Sequence, residues 1–232
     1  MLLRIRSREE KRWGNFEKTC GRSEIMLIVI EGQDATGKDT QARLLAEYLR
    51  ERGKTVTAYS ESGTGSEDPF VSEISKLTYK TKQDINHRTR VLLFLVNRYE
   101  QWRKIAEPAL RRGETVILTR NWLSTLIYEG YAGGVSKSLI SRLHKEIMPD
   151  YYFKPDRMVV LTLSDAERQR RLNTQAVEQG RVGEVLKTQP TEFQKKVNEA
   201  YLKVAKEMKL QCLDAGGTID EVQEELKKLF AL

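Results

Sequence analysis

The segment Gly32-Gln33-Asp34-Ala35-Thr36-Gly37-Lys38-Asp39-Thr40 constrains this 232-residue chain more than any other. It follows the continuously apolar run MLIVIE, which reads as a strand buried on both faces. It opens the segment Gln41–Arg52, where Leu44, Leu45, Tyr48 and Leu49 share one helical face before Gly53 ends the helix. A glycine-rich turn between strand and helix points backbone N–H groups inward at phosphate oxygens. The helix N-terminus adds partial positive charge, and Lys38 adds a full charge for the β- and γ-phosphates. Residues 32–40 are therefore expected to hold a nucleoside triphosphate. One position departs from the pattern. The Ser/Thr that usually follows the lysine and touches Mg2+ is Asp39, with Thr40 one step later. Asp39 either helps to hold the metal or points outward as a first-turn helix residue.

The rest of the chain alternates strand and helix. β-rich runs at Thr55–Ser60, Thr115–Thr119, Met158–Leu163 and Leu210–Leu213 join Met26–Glu31, with helical stretches between them. Parallel strands need crossovers, so the pattern predicts an α/β fold: a five-stranded parallel sheet with helices on both faces, in three layers. Pro108 should kink or break a helix running from about Thr89 to Arg112. Ser164–Glu167 and Thr218–Glu221 both read as capping boxes. Residues 1–25 carry seven Lys/Arg and four Glu without periodicity and read as a disordered extension, leaving 26–232 as one domain. They lack the apolar stretch of a secretory signal. Two cysteines exclude a disulfide scaffold, and no apolar run approaches a membrane span. The chain is read as cytoplasmic and without a membrane partner. The net charge of +7 suits phosphorylated ligands or nucleic acid alike, but its basic residues are dispersed and no nucleic-acid motif appears, so no nucleic-acid partner is expected.

Gly32-x-Asp34-x-x-Gly37-Lys38-x-Thr40-Gln41 resembles the opening of thymidylate kinases, and further signals follow in that family's order. Phe94-Leu95-Val96-Asn97-Arg98 resembles the helix whose Phe stacks on thymine and whose Arg contacts the base. Arg120-x-x-x-Ser124-Thr125-x-x-Tyr128 resembles the Asp-Arg-Tyr/His motif with its trailing Ser and Tyr. Cys212-Leu213-Asp214-Ala215 resembles the last strand and adenine-side loop. The likeness covers residues 26–232. It implies a P-loop kinase fold with a mobile lid at about 168–190, transfer of the ATP γ-phosphate to dTMP to give dTDP, Mg2+ as cofactor, and a homodimer. It places Asp34 at the acceptor sugar and Tyr128 where a ribose 2′-hydroxyl would sit. The acceptor set is then Asp34, Glu61, Phe94, Arg98, Arg120, Ser124, Thr125 and Tyr128.

Physical argument supports several of these roles separately. Phe94 offers a flat face for a base, although in VLLFLV it also reads as core. Arg98 lies four residues on, one helical turn away. Arg120 directly follows a strand, at the edge where such sheets collect ligands. The chain also departs from the family. Thr119 replaces the Asp before the arginine, Ser60-Glu61-Ser62-Gly63-Thr64 replaces Arg-Glu-Pro-Gly-Gly, and Ala35 and Thr36 leave the phosphate loop without an arginine. The missing cation is expected from the segment after the fourth strand, where Arg168, Arg170, Arg171 and Arg181 lie. Arg171 and Arg181 match the family's lid arginines best, while Arg168 and Arg170 also read as a solvated helix face. Lys38, Arg120, Arg171 and Arg181 are the expected catalytic cations, and Asp39 the metal candidate. The alternatives are a kinase of another nucleotide or of a deoxynucleoside, or a non-catalytic nucleotide- or nucleic-acid-binding protein.

Overall fold

The structure is a computed structural model that describes residues 26–79, 84–178 and 191–232. The expectations for residues 1–25, for Arg181 and for the greater part of the lid lie outside the described residues.

Five strands form one parallel sheet: β1 (Leu27–Gly32), β2 (Val56–Ser60), β3 (Thr115–Thr119), β4 (Arg157–Thr162) and β5 (Gln211–Asp214), in the order β2-β3-β1-β4-β5. Each expected strand is present, shifted by no more than one residue at either end. Alternation explains the continuously apolar β1. Ile28 and Ile30 face helices α1 (Lys38–Glu51) and α9 (Ile219–Phe230), packing with Leu45, Leu49, Leu226 and Phe230. Leu27 and Val29 face the other way, toward Leu95, Trp102, Leu110 and Tyr152. Both faces are covered, so the expected three layers form. A third apolar cluster joins Ile127, Ile140, Tyr201 and Val204 beside the sheet.

The long helix breaks before the proline. Helix α3 (His87–Gln101), capped by Asn86, passes into a π-helical turn at Trp102–Ala106, and Pro108 then sits in the first turn of α4 (Glu107–Arg111). Proline lacks an N–H and clashes with the carbonyl four residues back, and the π turn relieves that conflict. The Thr218 capping box is complete. The Ser164 box is half made: Ser164 accepts from the Glu167 N–H, but the Glu167 side chain turns to Arg170 and Arg171.

Chain order places the site. From β1 the chain moves to β2 and β3 on one side, then crosses to β4 and β5 on the other. The reversal therefore falls beside β1, and ligands of open α/β sheets bind beyond the strand ends at such a point. The Gly32–Thr40 loop leaves β1 there.

Candidate active site

The loop's backbone needs its glycines at two places. Gly32 has φ +141°, and a Cβ there would stand 2.4 Å from the Leu161 carbonyl oxygen on β4. Gly37 has φ +83° and forms the N-terminal boundary of α1. Ala35 also takes a left-handed conformation, at φ +67°, although it carries a side chain. Lys38 is 6% exposed, and its ammonium donates to the Gln33 carbonyl and to Thr36 Oγ1. Burial, reinforced by the nearby Arg120 charge, lowers the Lys38 pKa to about 7.

Arg120 follows β3 in a left-handed conformation, φ +69°, which turns its side chain over the loop. There it pairs with Asp34, donates to Ser124 Oγ at 3.3 Å, and lies 5.6 Å from the centre of the Tyr128 ring. The Tyr128 hydroxyl donates to the other Asp34 oxygen at 3.4 Å. Burial works against the Asp34 carboxylate, but Arg120 and Lys38 together hold its pKa below the usual carboxylate value. Asp34, Arg120, Ser124 and Tyr128 are thus brought together beside the phosphate loop.

Thr119 and Asp39 meet. The Thr119 hydroxyl donates to Asp39 Oδ1 at 2.5 Å, and Asp39 is exposed at the start of α1. Phosphate-loop enzymes usually hold Mg2+ with a hydroxyl after the lysine and a carboxylate at the end of a neighbouring strand. Here α1 supplies the carboxylate and β3 the hydroxyl.

The base-side residues form a buried network. Arg98 is 2% exposed. Its Nε lies 3.2 Å from Glu61 Oε2, and its Nη1 donates to Thr125 Oγ1. Glu61 accepts from the Tyr152 hydroxyl at 2.6 Å, and burial drives its pKa above the usual carboxylate range. Phe94 is 8% exposed and belongs to none of the three apolar clusters. Its ring is flanked by Arg98 at 5.3 Å and by the Tyr79 edge at 5.6 Å. The serine-rich loop after β2 is docked on α3: Asn97 donates to the Ser62 carbonyl and Gln101 to that of Glu61.

Sequence reasoning missed Glu31. It is fully buried and accepts from the backbone N–H groups of Asn121 and Ser124 and from the hydroxyls of Ser124 and Tyr201. It therefore fixes the segment that carries Arg120, Ser124 and Thr125. A carboxylate ending an otherwise apolar strand is the signal that marks it.

The arginines of α7 (Asp165–Glu178) separate. Arg170 pairs with Glu167 on the surface. Arg171 also binds Glu167, and it donates to the carbonyls of Ala215 and Gly217 in the loop after β5. The described structure therefore does not bring Arg171 to the Lys38–Arg120 group. Arg168, read as lid arginine or solvated face, is buried. His87 bonds Glu129, and His144 is buried in α6 (Lys137–Ile147), its Nδ1 2.9 Å from the Ile140 carbonyl oxygen.

The family model described as thymidylate kinase matches residues 30–226. The thymidylate kinase of Caldicellulosiruptor saccharolyticus is 32% identical over 206 residues, covering 88% of this chain and 95% of that protein. That of Nitrosospira multiformis is 31% identical over 208 residues, covering 88% and 96%. The crystal structure of thymidylate kinase from Ehrlichia chaffeensis aligns with a TM-score of 0.64 at 25% identity, covering 88% of this chain and 97% of that one.

Proposed function

Because the chain belongs to the thymidylate kinase family, we propose that the phosphate loop and the Asp34–Arg120–Tyr128 group form one transfer site, with ATP on the first and dTMP on the second. The reaction is the phosphorylation of dTMP to dTDP by an ATP-dependent phosphotransferase. The observation that carries this assignment of residues is the meeting at Asp34. Arg120 reaches this loop carboxylate from β3, and Lys38 lies close enough to help hold it ionised.

Phosphoryl transfer needs in-line positioning and neutralisation of spreading negative charge more than covalent help. The loop's N–H groups and the α1 N-terminus cradle the donor phosphates, and Lys38 adds its charge at the β–γ end. Arg120, reaching the loop from the end of β3, holds the acceptor phosphate. Asp34, kept ionised, aims Arg120 and accepts from Tyr128, which crowds the sugar. Phe94 gives the base a stacking face. Arg98, a donor only, favours the carbonyl of thymine over the amino group of cytosine at the same ring position. Glu61 and Thr125, themselves buried, fix the Arg98 side chain.

Mg2+ fits the residues present. Among the described residues no group of three or more His, Cys, Asp or Glu gathers into a cage, and Mg2+ commonly binds through one or two carboxylates plus substrate phosphates. Asp39, with the Thr119 hydroxyl on it, would hold the ion beside the loop. When bound, the ion neutralises phosphate charge.

We assign the enzyme to the cytoplasm and to a homodimer. Leu92, Val96 and Tyr99 form an exposed stripe with i, i+4, i+7 spacing on α3, beside Phe70 and Leu77 of helix α2 (Pro69–Tyr79). A second copy burying that stripe accounts for it. The whole reading is tested by coupled ADP release with dTMP, dUMP, dCMP, UMP, CMP and AMP. dTMP is expected first, dUMP weaker, and UMP and dCMP poor; faster use of UMP, CMP or AMP refutes it.

A further inference from the structure

His87 opens α3, and Glu129 lies in the π-helical turn Leu126–Ala132, directly after Tyr128. The His87 Nδ1 stands 2.5 Å from Glu129 Oε2. Glu129 is 4% exposed, and among the described residues His87 is the one group that hydrogen-bonds its carboxylate. Burial raises the Glu129 pKa, and the His87 contact, followed by the charges of Arg90 and Arg98, opposes that rise. A carboxylate stripped of water and held by one hydrogen-bond partner is left uncompensated when that partner is removed.

The imidazole is seated as well as paired. Its ring stacks on Phe193 of helix α8 (Thr191–Glu207), with centres 6.0 Å apart and planes within 11°. It also lies on Gly133, where a Cβ would stand 2.5 Å from Nδ1, so the ring could not keep this position against a side chain. Phe193 in turn packs against Tyr128, with ring centres 6.4 Å apart. Tyr201 meets Tyr128 nearly at right angles, also at 6.4 Å, and Arg120 lies over the Tyr128 ring. Two routes therefore lead from His87 to Tyr128: along the chain through Glu129, and across space through Phe193. The residue after Phe193, Gln194, carries the carbonyl that accepts from Gln33 Nε2 at 3.1 Å, which ties the start of α8 to the phosphate loop.

We propose that His87 is a positioning residue for the acceptor pocket: by pairing with Glu129 and stacking on Phe193 it holds the Tyr128 ring in place beside Asp34. The preference for a deoxyribose sugar is then set in part by a residue outside the pocket. This rests on the reading that Tyr128 bounds the acceptor sugar. With the imidazole gone, Glu129 loses its hydrogen bond, and the turn that carries both Tyr128 and Glu129 shifts to recover a partner or water. The ring beside the sugar moves with it, and the space that excludes a 2′-hydroxyl opens. A histidine that merely decorated the surface would need no fitted surroundings; this one is matched by a carboxylate, an aromatic face and a glycine.

The test uses the full chain with four variants. His87→Phe keeps an aromatic ring and removes the hydrogen bond, and His87→Asn keeps an N–H donor and removes the ring. Glu129→Leu is made alone and together with His87→Phe. Tyr128→Ala is the control on the parent reading. Steady-state kcat and KM are measured with dTMP and with UMP, and melting temperature without nucleotide. His87→Phe is expected to raise the KM for dTMP at least about fivefold with kcat within about threefold, and to raise kcat/KM for UMP relative to dTMP at least about fivefold. Replacing both partners by apolar groups leaves no unpaired carboxylate, so the double variant should recover at least about half of each change on a logarithmic scale. His87→Asn should fall between wild type and His87→Phe. Unchanged KM and sugar preference in His87→Phe overturns the proposal. So does a lowered melting temperature with dTMP and UMP weakened alike, which marks a structural role, and so does a double variant no better than His87→Phe, which separates the histidine from Glu129. If Tyr128→Ala alters the sugar preference and His87→Phe does not, this proposal alone fails. If neither alters it, the reading of Tyr128 falls, and this proposal with it.

Discussion

Exchanging the residues at 39 and 119 tests whether the carboxylate and the hydroxyl act as a pair. Their oxygens are 2.5 Å apart, so each is the other's nearest polar neighbour on the loop side. Thr119→Asp alone places two carboxylates beside each other with charge centres about 4 Å apart. That repulsion is worth about 1 kcal/mol in water and about 4 kcal/mol near a protein surface. At 1.4 kcal/mol per decade, turnover should fall roughly fivefold to a thousandfold. Because Asp39 is exposed, the lower half of that range is the more reasonable expectation. Asp39→Ser alone leaves two hydroxyls and no carboxylate, and it should raise the Mg2+ concentration for half-maximal activity. The double variant restores one carboxylate and one hydroxyl with their origins exchanged. It should recover to within about tenfold of wild type. The assay is coupled ADP release titrated with Mg2+, together with ADP binding in Mg2+ and in EDTA. The double-variant cycle should show a coupling of at least about 1 kcal/mol, and additivity within about 0.5 kcal/mol would refute the pairing.

Three further outcomes follow from the same geometry. Lys38 has a pKa near 7 in the free protein, so at pH 8 it is mostly neutral; a bound triphosphate should return its proton, giving nearly one proton taken up per ATP in calorimetry across buffers, and Lys38→Met should abolish that uptake along with at least ~100-fold of turnover. Burial, with the Arg98 charge second, lowers the His144 pKa to about 4; the unfolded chain then takes the proton first, so stability should fall by about 3 kcal/mol as pH drops from ~6.5 toward ~4, and His144→Leu should flatten that slope of the melting temperature. Leu92→Glu with Val96→Glu should convert a dimer to monomers by light scattering without lowering the melting temperature of the monomer, and an unchanged mass would remove this face from the interface.

The sheet was legible because both of its determinants are local. Continuous apolar runs such as MLIVIE and TVILT mark strands buried on both faces, and parallel pairing then requires the helices between them. The boundary at Pro108 was legible as a break but not as a π turn. Pattern locates the conflict between proline and helix, whereas packing of Trp102 and Ala106 against the sheet decides how the backbone resolves it.

The site was legible where one residue's chemistry is fixed by its place on the chain, as with Lys38 in its loop and Arg120 after its strand. It was not legible where two distant residues define each other. In the sequence Asp39 reads only as compensation for the Asp missing at Thr119; 80 positions apart, the two become a donor–acceptor pair only once β3 is placed beside β1. Glu61 shows the same limit, since its partners Arg98 and Tyr152 come from α3 and from the segment before β4. The α7 arginines show it most sharply. Arg168 and Arg171 are three apart and fall on neighbouring helix faces, so periodicity treats them nearly alike. What separates them is which element packs on each face: the loop after β5 against Arg171, and α8 against Arg168. A charge on a helix takes its role from the neighbour that strips its water, and that neighbour is set by the tertiary fold.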